Sequence, residues 1–118
     1  MLGLMGAMED EVRLIRADLD DVEELDGPCE LLRGRLDGTP VVLAKCGIGK
    51  VNAALAASAM VQAGARRIVF TGVAGAVAPG LGFGDGVVGN RFPQHDAGDS
   101  AFGHPIGPGP VGPPTWGP

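Results

Sequence analysis

Hydrophobic and polar positions follow two different periods along this chain. Met1-Leu2-Gly3-Leu4-Met5 is an apolar run closed by Gly6, which predicts a short buried strand over 1–6. From Met8 the period lengthens. Met8, Val12, Ile15, Leu19 and Val22 recur at three- and four-residue spacing and predict a helix over about 8–22. Two further runs, "CELLRGRL" and "TPVVLAKC", flank Asp37-Gly38, a two-residue hairpin signal, and predict paired strands over about 29–45. That turn fixes a register in which Glu30 faces Lys45, Cys29 faces Cys46, and Pro40 falls in a non-hydrogen-bonded pair. The Ala-rich "KVNAALAASAMVQAGA" predicts a helix over about 49–63 that can approach a sheet closely, with Gly64 as its stop. Strands are predicted over 67–71 and over about 86–89.

Alternating strands and helices predict an α/β fold, a mixed sheet flanked by helices, with ligands bound at the carboxyl ends of the strands. The 118 residues suffice for one domain with one core. Its 21 Gly and 10 Pro crowd into the second half, and "PIGPGPVGPPTWGP" can continue neither a helix nor a central strand. The chain therefore reads as a folded part, 1–104, and an extended terminus, 105–118. A net charge of -5 without a basic patch speaks against nucleic acid as a partner. The apolar stretches are too short to span a bilayer and the N-terminus lacks a signal peptide's basic region, so the expectation is a cytoplasmic protein without a membrane partner. Cys29 and Cys46 form neither a CxxC pair nor a zinc-like cluster, and free thiols are expected in a reducing compartment.

The stretch "GAMEDEV" places three carboxylates directly after the first strand. Acids in a helix's first turn favour the positive end of its dipole, which accounts for all three without any function. On the helical wheel, however, Asp10 points away from the apolar stripe and toward solvent, while Glu11 lies at its edge beside Ile15. A carboxylate looking from there into a partly desolvated cleft would have its proton affinity raised, which suits acid or base work.

Three glycine-bearing turns follow apolar strands: Gly6-Ala7-Met8, Gly47-Ile48-Gly49-Lys50 and Thr71-Gly72-Val73-Ala74-Gly75-Ala76. The second is not a P-loop, because Ala44 stands where the first Gly belongs and Val51 where Ser or Thr should hold magnesium. The third lacks dinucleotide-fingerprint spacing and runs into Pro79 rather than a helix. Singly, each turn could be a chain reversal and nothing more.

Together, "GAMEDEV", "CGIGKVNAA", "TGVAGAVAPGLGFGDGVV" and "HDAGDSAFG" resemble the bacterial 5'-methylthioadenosine/S-adenosylhomocysteine nucleosidases of the nucleoside phosphorylase superfamily, over residues 1 to about 110. The resemblance implies hydrolysis of the N-glycosidic bond of a 5'-thio-substituted adenosine, releasing adenine, by a cytoplasmic homodimer without a cofactor. It makes Glu11 the carboxylate that orients and activates the attacking water. Such a group also favours the positive charge of an oxocarbenium-like transition state and would repel phosphate, so water is the better acceptor than in a phosphorylase. It makes Ala7, Met8 and Ile48 the lining of the nucleoside pocket and Val73, Ala74 and Gly75 the loop beside ribose and adenine. Val73 stands where many relatives carry Ser. Phe102, His104 and Pro110 match positions that cover the 5'-thio substituent of the neighbouring subunit, with His104 in place of a usual Tyr. A metal held by His95, Asp96 and His104 is the competing reading there, without a third tight ligand spacing to support it.

Members of that family are about twice as long, so the resemblance is to an N-terminal half and the implied nucleoside-phosphorylase-like fold is incomplete. A Val-Glu-Met-Glu segment, whose Glu binds the ribose hydroxyls, and a Ser-Asp, whose Asp protonates adenine at N7, are absent from this sequence, where Asp99-Ser100 is reversed in order. Loss of such a general acid commonly costs ~10²–10⁴ in rate. Two alternatives therefore stand beside the nucleosidase reading: a truncated non-catalytic remnant that dimerises or binds nucleoside weakly, and part of a futalosine-type hydrolase.

Overall fold

In a computed structural model of the chain, which describes residues 1–90 and 92, seven elements follow one another. They are β1 (Leu2–Gly6), α1 (Glu9–Ala17), β2 (Leu19–Glu24), β3 (Glu30–Leu36), β4 (Thr39–Lys45), α2 (Lys50–Gln62) and β5 (Arg67–Phe70). All lie in the first of two compact units, Met1–Gly75, and the second begins at Ala76. The strands form one mixed sheet in the order β2-β3-β4-β1-β5. β1 sits between β4 and β5 and runs parallel to both, while β2, β3 and β4 pair antiparallel. This is the expected α/β class.

Strand periodicity divides the core in two. Met5, Val42, Ala44 and Cys46 point to one face and pack with Ala56 and Met60 of α2. Leu4, Val41 and Leu43 point to the other and pack with Val12 of α1. β1 and β4 are thus buried on both faces, which is why they read as nearly continuous apolar runs. α2 does approach the sheet closely, since a methyl group built on Gly3 would lie 2.7 Å from Met60 Cε. It ends as expected, with Gly64 in the left-handed region at φ 102°.

The hairpin has the register that Asp37-Gly38 dictates. Leu36 pairs with Thr39 and Glu30 with Lys45, and positive φ at Asp37 (48°) and Gly38 (75°) makes the turn type I′. The first helix differs from expectation. It stops at Ala17 with Asp18 as its C-cap, and Leu19–Glu24 is an edge strand on β3. Leu19 and Val22 met the helical spacing by coincidence, whereas Asp18, Asp20 and Asp21 would have opposed the negative end of a continuing helix. Leu19 is nevertheless buried with Val12, while Val22 and Met8 are largely exposed.

The strand expected over 86–89 does not form. Val87 and Val88 are 73% and 96% exposed. Two valines between glycines supply local propensity, and propensity without a paired neighbour makes no ladder. In this second unit the described residues form a turn, in which the Gly82 N–H donates to Asp85 Oδ2 at 2.8 Å. The expected division at 104/105 and the extended terminus 105–118 lie outside the described residues.

Candidate active site at the carboxyl edge of the sheet

Because β4, β1 and β5 are parallel, their carboxyl ends lie at one edge, and their ladders continue past the strands. The Thr71 N–H donates to Met5 O (2.8 Å), the Cys46 N–H to Gly6 O (2.9 Å) and the Gly47 N–H to Ala7 O (3.0 Å). The three glycine-bearing turns picked out in the sequence are thereby set side by side. This is where open α/β sheets bind ligands.

Glu11 ties two of these turns together. It occupies the first turn of α1, and its Oε2 accepts the N–H groups of Ala7 (2.7 Å) and Met8 (2.9 Å). Its Oε1 reaches across to accept the Val73 N–H at 3.1 Å. Gly72 makes the approach possible, because a Cβ there would stand 2.7 Å from Glu11 Oε1. The expected rise in proton affinity is not found. Glu11 is held below the usual carboxylate range, by the Met8 N–H first, then that of Val73, with burial acting the other way and the Ala7 N–H adding to the lowering. It is an ionised, pre-oriented carboxylate. A carboxylate offers about four acceptor positions, so the three N–H bonds leave one free, on Oε1, to hold a water.

Ala7, Met8 and Ile48 line one open cavity together with Cys29, Cys46 and Asn52. Asn52 of α2 fixes the middle turn by donating from Nδ2 to Ile48 O at 2.7 Å, and it is a site-forming residue that the motifs did not single out. Its position four residues after Ile48 was the available signal. Val73 joins the site through its N–H, whereas its side chain is 81% exposed. Ala74 and Gly75 continue as exposed loop, and a Cβ built on Gly75 meets nothing within 4 Å. Phe102, His104 and Pro110, and the His95, Asp96 and His104 trio, lie outside the described residues. Among the described residues, no three His, Cys, Asp or Glu side chains gather as a metal site, and no helix is long and apolar enough to cross a membrane.

A ring of alternating charge, only half visible in the sequence, borders the cavity. Arg16 grips Glu9 through both terminal nitrogens (2.7 and 3.0 Å) and also reaches Glu30 (2.6 Å). Lys45 closes the ring to Glu30 at 2.7 Å and to Glu9 at 3.1 Å. The Glu30–Lys45 pairing follows from the hairpin register; the contribution of α1 does not. The Arg16 and Lys45 cations lower Glu9 to about 2. Asp10, by contrast, is exposed as expected and pairs loosely with Arg13 at 3.5 Å.

The chain matches the family model described as the phosphorylase superfamily over residues 1–117. Among solved structures it is similar to the 5'-methylthioadenosine/S-adenosylhomocysteine nucleosidase of Neisseria meningitidis in complex with methylthio-immucillin-A, at 37% identity and a TM-score of 0.88, covering 95% of this chain and 49% of that one. It is similar to the nucleosidase of Colwellia psychrerythraea 34H in complex with adenine, at 38% identity and TM-score 0.88, covering 95% and 47%. A futalosine hydrolase mutant of Helicobacter pylori strain 26695 matches at 32% identity and TM-score 0.84, covering 94% and 50%. The chain thus spans about half the length of the structures it matches. Four sequence motifs, a mixed sheet of matching fold and a family match along nearly the whole chain agree: this chain belongs to the phosphorylase superfamily.

Proposed function

We propose that this chain supplies the water-activating part of a nucleosidase site that hydrolyses the N-glycosidic bond of 5'-methylthioadenosine and S-adenosylhomocysteine and releases adenine. The observation that carries the reading is Glu11, ionised and pinned between the turns after β1 and β5 by three backbone N–H groups. Its free acceptor position aligns a water against the anomeric carbon, and its charge favours the oxocarbenium-like transition state. A carboxylate of lowered proton affinity is a weak base, so most of its effect is orientation and charge. Ala7, Met8 and Ile48 pack against the nucleoside. Val73, Ala74 and Gly75 border ribose and adenine, and Phe102, His104 and Pro110 of a second subunit cover the 5'-substituent. Binding requires neither cofactor nor metal.

The likeness to a futalosine hydrolase keeps a second substrate in view, since the carboxylate would serve any nucleoside hydrolysed by water. A chimera joining residues 1–110 of this chain to the remaining half of the Neisseria enzyme separates these readings. It is expected to release adenine from methylthioadenosine, detected chromatographically, faster than it cleaves futalosine. Glu11→Gln should lower that turnover ~10²–10⁴-fold, with a much smaller change in affinity for an uncharged, uncleavable substrate analogue. Unchanged turnover would reduce Glu11 to a helix cap. The 118-residue chain alone should bind that analogue weakly and release little adenine, and robust turnover by it would show that a proton donor lies within these residues.

A further inference from the structure

The two thiols of this chain have no part in the chemistry proposed above, yet the fold brings them together. In a hairpin closed by a two-residue turn, the flanking pair, here Leu36 and Thr39, is hydrogen-bonded, and pair types alternate outward from it. Glu30 with Lys45 is then a hydrogen-bonded pair and the last of the ladder. Carried one step past the ladder's end, the same alternation places Cys29 opposite Cys46 in the non-hydrogen-bonded position, where facing Cα atoms stand about 4.5 Å apart, inside the span of about 4.4–6.8 Å that a disulfide bridges. Both occupy the face that α2 covers: Cys46 is buried in the core cluster with Leu31 and Ala44, and Cys29 packs against that cluster. Both also line the cavity that contains Met8 and Ile48. They are free thiols. Burial pushes both above the usual thiol range, and Cys46 pushes Cys29 further.

We propose that Cys29 and Cys46 form a disulfide-forming site, oxidised by a small-molecule disulfide of the glutathione class into a cross-strand bond in the wall of the cavity. Cys29 is the more exposed and reacts first. Its thiolate attacks one sulfur of oxidised glutathione, the S–S bond breaks, and one glutathione leaves as a thiolate that takes up a proton. The Cys46 thiolate then attacks the Cys29 sulfur of the mixed disulfide and displaces the second glutathione. Two protein thiols are oxidised and one small disulfide is reduced to two thiols. Cys46 Sγ now donates its hydrogen to Gly47 O at 3.2 Å; oxidation removes that hydrogen and loosens the turn that carries Ile48.

The test is incubation of the chain with oxidised glutathione over a pH series, read by free-thiol titration, intact mass and non-reducing peptide mapping. Loss of both thiols is expected, with loss of two hydrogens, no retained glutathione, and a linkage between the peptides holding Cys29 and Cys46, all reversed by dithiothreitol. The rate should climb as pH rises toward the raised thiol range. Cys46→Ser should stop at a stable glutathione adduct on Cys29. Persistence of that adduct in the unaltered chain, a disulfide between two chains, or two thiols still titratable where free cysteine is fully oxidised would each overturn the proposal.

Discussion

At the scale of single residues, Glu11 is an anchor, and a reagent in the reaction proposed above. A carboxylate that accepts three backbone N–H groups holds two turns in place before any water arrives. An amide at that position has one oxygen: it can satisfy Ala7 and Met8 but must then set an NH₂ group against the Val73 N–H. Glu11→Gln therefore removes a loop contact as well as a charge, and turnover must be compared with the affinity for an uncharged substrate analogue to separate the two. Gly72 offers a cleaner perturbation. Gly72→Ala keeps the carboxylate but places a methyl 2.7 Å from its Oε1, so the side chain must give way. In the chimera it should lower turnover at least tenfold while the melting temperature shifts little; undiminished turnover would show that the Val73 contact is dispensable. The motif "GAMEDEV" made Glu11 legible as a candidate, but its most distant partner lies 62 positions along the chain. Local periodicity sees only the neighbouring turn. For the same reason the direction of the proton-affinity shift was misread: the wheel showed an edge position, not the three donors that await it.

Among the elements, the hairpin was the most legible, because Asp37-Gly38 permits one turn geometry and that geometry fixes every pair from Leu36/Thr39 to Glu30/Lys45. The end of α1 was the least legible, since a spacing that suits a helix can arise by chance over a break. Besides Val12, Ile15 and the Glu11 contact to Val73, the ring of Glu9, Arg16, Glu30 and Lys45 docks the shortened α1 on the sheet. Its pH dependence follows from Glu9. Folded, Glu9 titrates at about 2, against 4.5 ordinarily, so it contributes stability that is fully present above 4.5 and is lost as pH falls through 2. Over that window the melting temperature should drop less in Glu9→Gln than in the unaltered chain. Side chains half exposed are screened by salt, so the difference should shrink at high ionic strength. Equal slopes for the two proteins would assign the acid sensitivity elsewhere.

For the molecule as a whole, apolar surface outruns its cover. On α2, Val51, Leu55 and Val61 are 73%, 50% and 59% exposed, and on β5 Val69 and Phe70 are 50% and 54% exposed. α2 was legible as a helix from its alanines, but a helix apolar on every side does not announce which side is covered. Patches of this kind recruit partners, so self-association is expected in sedimentation experiments, and Leu55→Lys should weaken it; a single monomeric species at all concentrations would count against this. The central place of β1 has a further consequence, for the order in which the structure comes into being. Its neighbours are Val41–Lys45 and Arg67–Phe70, so the first strand of this unit waits for β4 before one side of it is paired and for β5 before the other is. The β3–β4 hairpin closes across two residues and loses little entropy in doing so, whereas β1 must close long loops. Pulse-labelled amides of β3 and β4 should gain protection before those of β1 and β5, so that the strands leading into two of the candidate site's turns become permanent later than the hairpin.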